Sequence, residues 1–303
     1  MRLVMAILAF IVLLPIVGSD APSHITYYVD VATGDDAHGG TAPEVAWRTI
    51  QRAANTARAG DTVLIREGTY HEGVSFDQHS GIEGAPIVFR AHPEETVIVE
   101  SPEWYGLNVQ VDWLVIDGLH VRGSTSHGLF LSGAHHNVIQ NCAFSDHGWA
   151  GVMIGGDRGR ASHNIIQHCA IHDNAHEGIY LRSGYIDQPG IPVTDNVLQY
   201  NVIYDNGDEG IQNTATYVLP APGGTVIRGN HVYGNGAWAG SACLEGDDLL
   251  VEDNIIRDNG GEVGGIWYAN GAGGVLRNNV ILGNHGDAGD HAAGLHLRNL
   301  VHT

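Results

Sequence analysis

YNVIYDN, Tyr200–Asn206, is one of six segments that fall into line along the second half of the chain. NCAFSDH (141–147) and HCAIHDN (168–174) precede it; GNHVYGN (229–235), DNIIRDN (253–259) and NNVILGN (278–284) follow it. Their last residues, His147, Asn174, Asn206, Asn235, Asn259 and Asn284, are separated by 27, 32, 29, 24 and 25 positions. Cys142, Cys169, Asn201, Asn230, Asn254 and Asn279 repeat with the same periods. Between these columns runs a third, Phe144, Ile171, Ile203, Val232, Ile256 and Ile281, which is apolar throughout.

A period near 24 with short apolar pieces and Asn or Gly turns describes a chain that coils and stacks on itself. Each repeat supplies three short strands, and successive coils lie at the inter-strand spacing of about 4.8 Å. The expected fold class is all-β, a right-handed parallel β-helix in which the apolar column faces inward. Asn suits the turns because it tolerates the left-handed region and its amide can bond along a stack. Cys142 and Cys169 stand in the Asn column and read as small buried fillers.

Composition agrees. The 303 residues include 42 Gly and 10 Pro but only 16% charged residues, as strands joined by tight turns require. The net charge is −20, and all 14 cations are Arg, since Lys is absent. Such a surface repels nucleic acid and anionic membranes, and repels acidic polysaccharides unless a cation such as Ca²⁺ bridges the two. The apolar run Leu3–Val17 follows one cation and has the length of a signal-peptide core, with cleavage near Ser19. The mature protein is therefore expected to be extracellular and free of the membrane. The three cysteines form neither a zinc pattern nor an even disulfide set.

Upstream, EVAWRTIQRAANTARAGDTVLIREGTY places Ile50, Ala53, Ala54 and Ala57 at helical spacing. Gly60 can end that helix, and the strand TVLI follows. A β-helix must cover the edge of its first coil, and this helix is the expected cap. One domain over 24–303 is expected, with a cap over about 24–70 and regular coils from about 107. The final GLHLRNLVHT stops in mid-coil, so more chain or a partner is expected there. YYVDVATGDD, WRTIQRAANTARAGDTVLIREGTYHEGVSF and the Gly-rich coils after them resemble secreted right-handed β-helix proteins of the polysaccharide lyase, epimerase and hydrolase superfamily, the pectin-lyase-like proteins. The resemblance covers nearly all of the mature chain. It implies a polysaccharide partner, and it leaves the reaction open.

Each Asn turn leads through Gly into a short strand: GVMIG (151), GIYLRS (178), GIQNTA (210), GSACLE (240), GIWYAN (265) and GLHLRN (294). Alternation sends Ile179 and Leu181 inward and Tyr180 and Arg182 outward. The same rule yields an exposed column of Met153, Tyr180, Gln212, Cys243, Trp267 and His296, and a second of Gly155, Arg182, Thr214, Glu245 and Arg298. Glu177 and Glu209 each sit three residues after the Asn, on the rim of this face and one coil apart. Two stacked carboxylates need a shared proton, a cation or a nearby Arg. His176 and Asp208 precede them and align as well; His147 and His127 extend the cluster upstream. The insertions SGYIDQPGIPVT (183–194) and TATYVLPAPGG (214–224) are expected to wall the face, with Tyr180, Tyr185, Tyr217 and Trp267 as flat surfaces for sugar rings. Asp247 and Asp248 read as a solvated turn.

Three functions remain open on this reading. The first, which the resemblance favours, is Ca²⁺-assisted β-elimination on a uronic-acid glycan. Lyases of the resembled superfamily commonly use Ca²⁺ held by acidic side chains with Arg or Lys as base. Here Arg182 is the base, Glu177, Glu209 and Asp208 hold the metal, and Tyr180 assists the leaving group. Tyr180, Gln212, Trp267, Glu245, His296 and Arg298 bind the substrate. The second is retaining glycoside hydrolysis by Glu177 and Glu209. The third is a non-catalytic carbohydrate-binding or structural β-helix.

Overall fold

A computed structural model describes residues 24–155, 159–183, 193–215, 223–236, 241–261, 264–286 and 294–298. Three parallel sheets run its length. The first has ten strands, from Thr26–Val29 to Val275–Arg277; the second has nine, from Gly68–Tyr70 to Val280–Leu282; the third has nine, from Val74–Phe76 to Leu295–Arg298. Every strand pairs with its counterpart one coil away, so the chain visits the three sheets in turn. Full coils begin with Thr62–Ile65, Gly68–Tyr70 and Val74–Phe76, well before the expected 107.

The inward column is Tyr70, Val99, Val121, Phe144, Ile171, Ile203, Val232 and Ile256, each no more than 2% exposed. A stacked apolar column loses almost all its water contact, at about 25 cal/mol per Å². The expected helix is present but short, Ile50–Ala54. Thr49 caps its start by accepting from Arg52 N, and Glu72 Oε1 and Oε2 accept from Ile50 N and Gln51 N. Ile50, Ala53, Ala54 and Ala57 are all buried against the first coil, so the apolar spacing serves even where the helix has ended. Cys142 and Cys169 are 3% and 1% exposed, in the place of Asn201.

The Asn columns are hydrogen-bonded ladders. Asn206 Nδ2 donates to Ile171 O at 3.1 Å and to Asn235 Oδ1 at 2.8 Å, while its Oδ1 accepts from Asn174 Nδ2 at 2.8 Å. A third ladder, Asn137–Asn164–Asn196, holds the remaining corner. The left-handed residue is not the Asn itself, as expected, but the one before it: Asp173, Asp205 and Asp258 at one corner, Asn141, His168, Tyr200 and Asp253 at another. One residue turns the chain, and the next points inward to satisfy the backbone groups the turn exposes. Left-handed His168 and Tyr200 stack at 5.3 Å, which offsets part of the roughly 1 kcal/mol each costs.

Candidate functional site

The third sheet carries the face that the sequence singles out. Its outer column runs in register Ser75, Asn108, Phe130, Met153, Tyr180, Gln212, Cys243, Trp267 and His296. Beside it lie Gly155, Arg182 and Thr214, and further down Glu245, Ala269 and Arg298. The glycines that open four of these strands, Gly151, Gly178, Gly210 and Gly265, are required by space. A Cβ on Gly178 would stand 2.5 Å from Ile203 Cγ2 and 2.6 Å from Gly210 O; one on Gly151 would stand 2.7 Å from Asn174 Nδ2.

The column is not uniformly exposed. Phe130, Met153 and Tyr180 are 5%, 2% and 7% exposed and form, with Ala150 and half-buried Tyr105, an apolar cluster outside the main core. Neighbouring coils are so close that large outward side chains cover one another. Cys243 is likewise buried, and burial pushes its thiol well up, with Glu209 and Glu245 adding to the shift. Gln212, Trp267, Glu245 and His296 are partly exposed, and Arg298 is exposed.

The structure opens a pocket of about 120 Å³ two coils above the expected centre. Trp104, Tyr105, Phe130, Trp149 and Tyr180 wall it, and Ser126, His127, Met153 and Arg182 complete it. The Arg182 guanidinium lies 5.8 Å from the Tyr180 ring centre. His127 stacks on Tyr105 at 6.0 Å and meets Trp149 edge-on at 6.2 Å. Burial drives its pKa down to about 3, with Arg182, His147 and His176 reinforcing the shift, so it is neutral at physiological pH. Its Nδ1 accepts from Ala150 N at 3.4 Å, which leaves the proton on Nε2. A larger hollow of about 510 Å³ adjoins on the N-terminal side and shares Trp104 and Tyr105.

Of the predicted residues, Tyr180 and Arg182 line the aromatic pocket. Glu177 and Glu209 do not. They are stacked as expected, with Gly178 N donating to Glu209 O at 2.8 Å, but they are buried at 7% and 5% exposure instead of solvated on a rim. Glu177 Oε2 is shielded and has no partner. Burial raises the Glu177 pKa to about 7, with Glu209 and Asp208 adding to the rise. Asp208 Oδ2 is engaged by His176 Nδ1 at 2.6 Å, and His176 stacks on Trp149 at 4.7 Å. Among the described residues no group of three His, Cys, Asp or Glu side chains is placed to hold a metal ion, so Glu177, Glu209 and Asp208 do not assemble as a Ca²⁺ cage. Asp247 and Asp248 are exposed at a turn, as expected. Leu3–Val17, Tyr185 and Tyr217 lie outside the described residues. Among the described residues no helix is long and apolar enough to cross a membrane.

Sequence reasoning missed Trp104, Tyr105, Phe130 and Trp149. A signal was present for the last: Trp149 holds the same place before the strand glycine as His176 and Asp208, and Trp149 N, His176 N and Asp208 N each donate to the residue one coil above.

A right-handed parallel β-helix with an aromatic cleft on one outer face is the class these features define. Residues 27–249 match the family described as "Pel9A-like, right handed beta helix region", and the chain belongs to that family. It is 32% identical over 143 residues to the uncharacterized protein YwoF of Bacillus subtilis strain 168, covering 42% of this chain and 29% of that one. It is 35% identical over 86 residues to the pectate lyase PEL9 of Emericella nidulans, covering 28% and 20%. These matches thus span less than a third of either relative. Among solved structures, pectate lyase Pel9A superposes with a TM-score of 0.65 at 18% identity, over 93% of this chain and 78% of that one. A rhamnogalacturonan lyase superposes with a TM-score of 0.62 at 17% identity, over 82% and 74%. At such identities the likeness is one of fold.

Proposed function

We propose that this chain binds a uronic-acid glycan along the outer face of the third sheet and cleaves it by β-elimination. The observation that carries the reading is Arg182, the one cation lining an aromatic-walled pocket in a protein of net charge −20. Aromatic walls suit the C–H faces of sugar rings, and a guanidinium suits a carboxylate. Relatives named as lyases support the same reaction class, and the apolar segment Leu3–Val17 supports export.

Elimination removes the C5 proton, breaks the C4–O bond, forms a C4=C5 double bond and returns a proton to the leaving oxygen. Arg182 binds the substrate carboxylate and steadies the negative charge that builds up on it. A guanidinium holds its own proton too tightly to accept another, so anchoring suits Arg182 better than the base role expected of it. His176 is the better acceptor. Asp208 fixes its Nδ1–H at 2.6 Å and frees Nε2 to take the C5 proton, and the ring sits on Trp149, a wall of the pocket. Tyr180 donates to the leaving oxygen. No step runs through Ca²⁺.

The test is near-ultraviolet absorbance of unsaturated product from polygalacturonate and alginate. We expect activity in the wild type and losses of about 10²–10⁴-fold in Arg182→Ala and in His176→Ala. Asp208→Asn is expected to lose less. Full activity in both Arg182→Ala and His176→Ala rejects the assignment. The glutamate pair supports a second reading, retaining hydrolysis, because Glu177 keeps a proton to about pH 7 beside Glu209. New reducing ends without absorbance, lost in both Glu177→Gln and Glu209→Gln, would establish it instead.

A further inference from the structure

The N-terminal hollow differs in chemistry from the pocket that holds Arg182. Its volume, about 510 Å³, lies in the range of small-molecule sites. No Arg lines it. Glu72 and Glu103 do, together with Gln51, Ser75 and Asn108. Glu72 is committed to the helix start and Gln51 is locked to Ser75, whose N donates to Gln51 Oε1 at 2.8 Å. His71, on the edge, pairs with Glu100 at 3.0 Å.

Two tryptophans stand out on the adjoining corner. Trp104 and Trp149 are 62% and 45% exposed. They occupy one vertical column with only Ser126 between them, since Trp149 N donates to Ser126 O and Ser126 N donates to Trp104 O. Two rungs separate them, about 10 Å along the axis. Trp104 meets Tyr105 edge-on at 87°, which leaves indole surface facing out. Asn108 lies directly above Phe130 in the outer column, at the step where that column turns from polar to apolar. Its Oδ1 is shielded without a partner, and a half-turn of the carboxamide offers either polar end to the hollow.

We infer that the hollow around Trp104 and Asn108 is a second glycan subsite, selective for an uncharged sugar, and that the bound glycan runs parallel to the helix axis. A carboxylate placed there meets Glu103 with no Arg on the lining and with His71 already paired to Glu100, whereas hydroxyl groups find the Asn108 amide, Ser75 and the Glu103 carboxylate. From Asn108 to Tyr180 is three rungs, about 14 Å, so the two subsites hold different units of one chain. The substrate is then a glycan carrying neutral sugars beside uronic acid. The inference rests on the proposed cleft for the position of the acidic unit.

Calorimetric titration of the full-length protein separates the two ideas. The probes are a neutral galacto-oligosaccharide, a neutral rhamno-oligosaccharide and an oligogalacturonate of matched length. At least one neutral probe is expected to bind the wild type. Its affinity falls tenfold or more in Asn108→Leu and in Trp104→Ala, and falls less in Arg182→Ala. Oligogalacturonate is expected to show the reverse order. Asn108→Asp, nearly the same shape, guards against misfolding: it should weaken oligogalacturonate further through added charge and still accept a neutral probe. Failure of both neutral probes to bind the wild type overturns the inference, as does neutral binding unmoved by Asn108→Leu. Absence of elimination with Asn108-dependent neutral binding intact would sink the proposed reaction and leave this subsite standing.

Discussion

The same corner of the helix behaves differently in its lower and upper coils. In the lower coils the chain reads Asn174-Ala-His-Glu177-Gly and Asn206-Gly-Asp-Glu209-Gly, and each Asn bonds its neighbours above and below. One coil up it reads His147-Gly-Trp149-Ala-Gly, and above that Ser124-Thr-Ser-His127-Gly. The ladder still closes. His147 Nε2 donates to Val121 O at 3.1 Å and its Nδ1 accepts from Ser124 N at 3.2 Å, so the imidazole does the work of an amide. Freed from the repeat, the neighbouring positions carry Trp149 and His127, and the pocket opens there. Regularity marks the support, and departure from it marks the cleft.

The largest effect expected from attacking this contrast is in the regular half. Asn206→Ala strands buried groups that now bond Asn174, Asn235 and Ile171, and should cost about 3–5 kcal/mol in urea denaturation. A loss under 1 kcal/mol contradicts the ladder as the main support. Gly178→Ala is next. Its Cβ meets the Gly210 carbonyl oxygen at 2.6 Å, backbone that cannot swing aside, and a loss of about 2–4 kcal/mol is expected in the same assay.

A third measurement uses pH. Glu177, raised to about 7, favours the folded state while protonated, below its ordinary value near 4.5, and that contribution is lost as pH rises through 7. The shift corresponds to on the order of 3 kcal/mol. His127 and His147, lowered to about 3 and about 4, act in the opposite sense: their contribution is present above 6.5 and is lost as pH falls toward their folded values. Glu177→Gln should therefore remove the fall in stability that Glu177 imposes between about pH 4.5 and 7 and leave the loss toward acid pH that the histidines impose; an unaltered dependence across that window contradicts the burial assigned to Glu177. The smallest effect is expected from His147→Asn, which extends the lower coils' rule upward and should change stability by about 1 kcal/mol or less, measured by thermal unfolding.

Much of the scaffold was legible in the sequence because its parts repeat. The Asn columns, the Phe144–Ile256 column and the register from Met153 to His296 all follow from spacing, and so did the cap. The turning residue was harder to read. It precedes the ladder residue and varies among Asp, Asn, His, Tyr and Gly, since only its backbone angle matters. The cleft was hardest. Tyr180 and Arg182 were found because they belong to regular coils. Trp104 and Phe130 sit where the repeat has weakened, and burial of Met153 and Tyr180 depends on contacts between coils that alternation along one strand does not reveal.

Among the six aligned repeats coil length varies between 24 and 32 residues while the rungs stay aligned, as the unbroken bonding from Asn174 through Asn206 and Asn235 to Asn259 requires. Segments of eight residues can therefore be added to or taken from one connection without disturbing the coil above or below it. Connections between strands can be exchanged singly while the framework beneath keeps its shape.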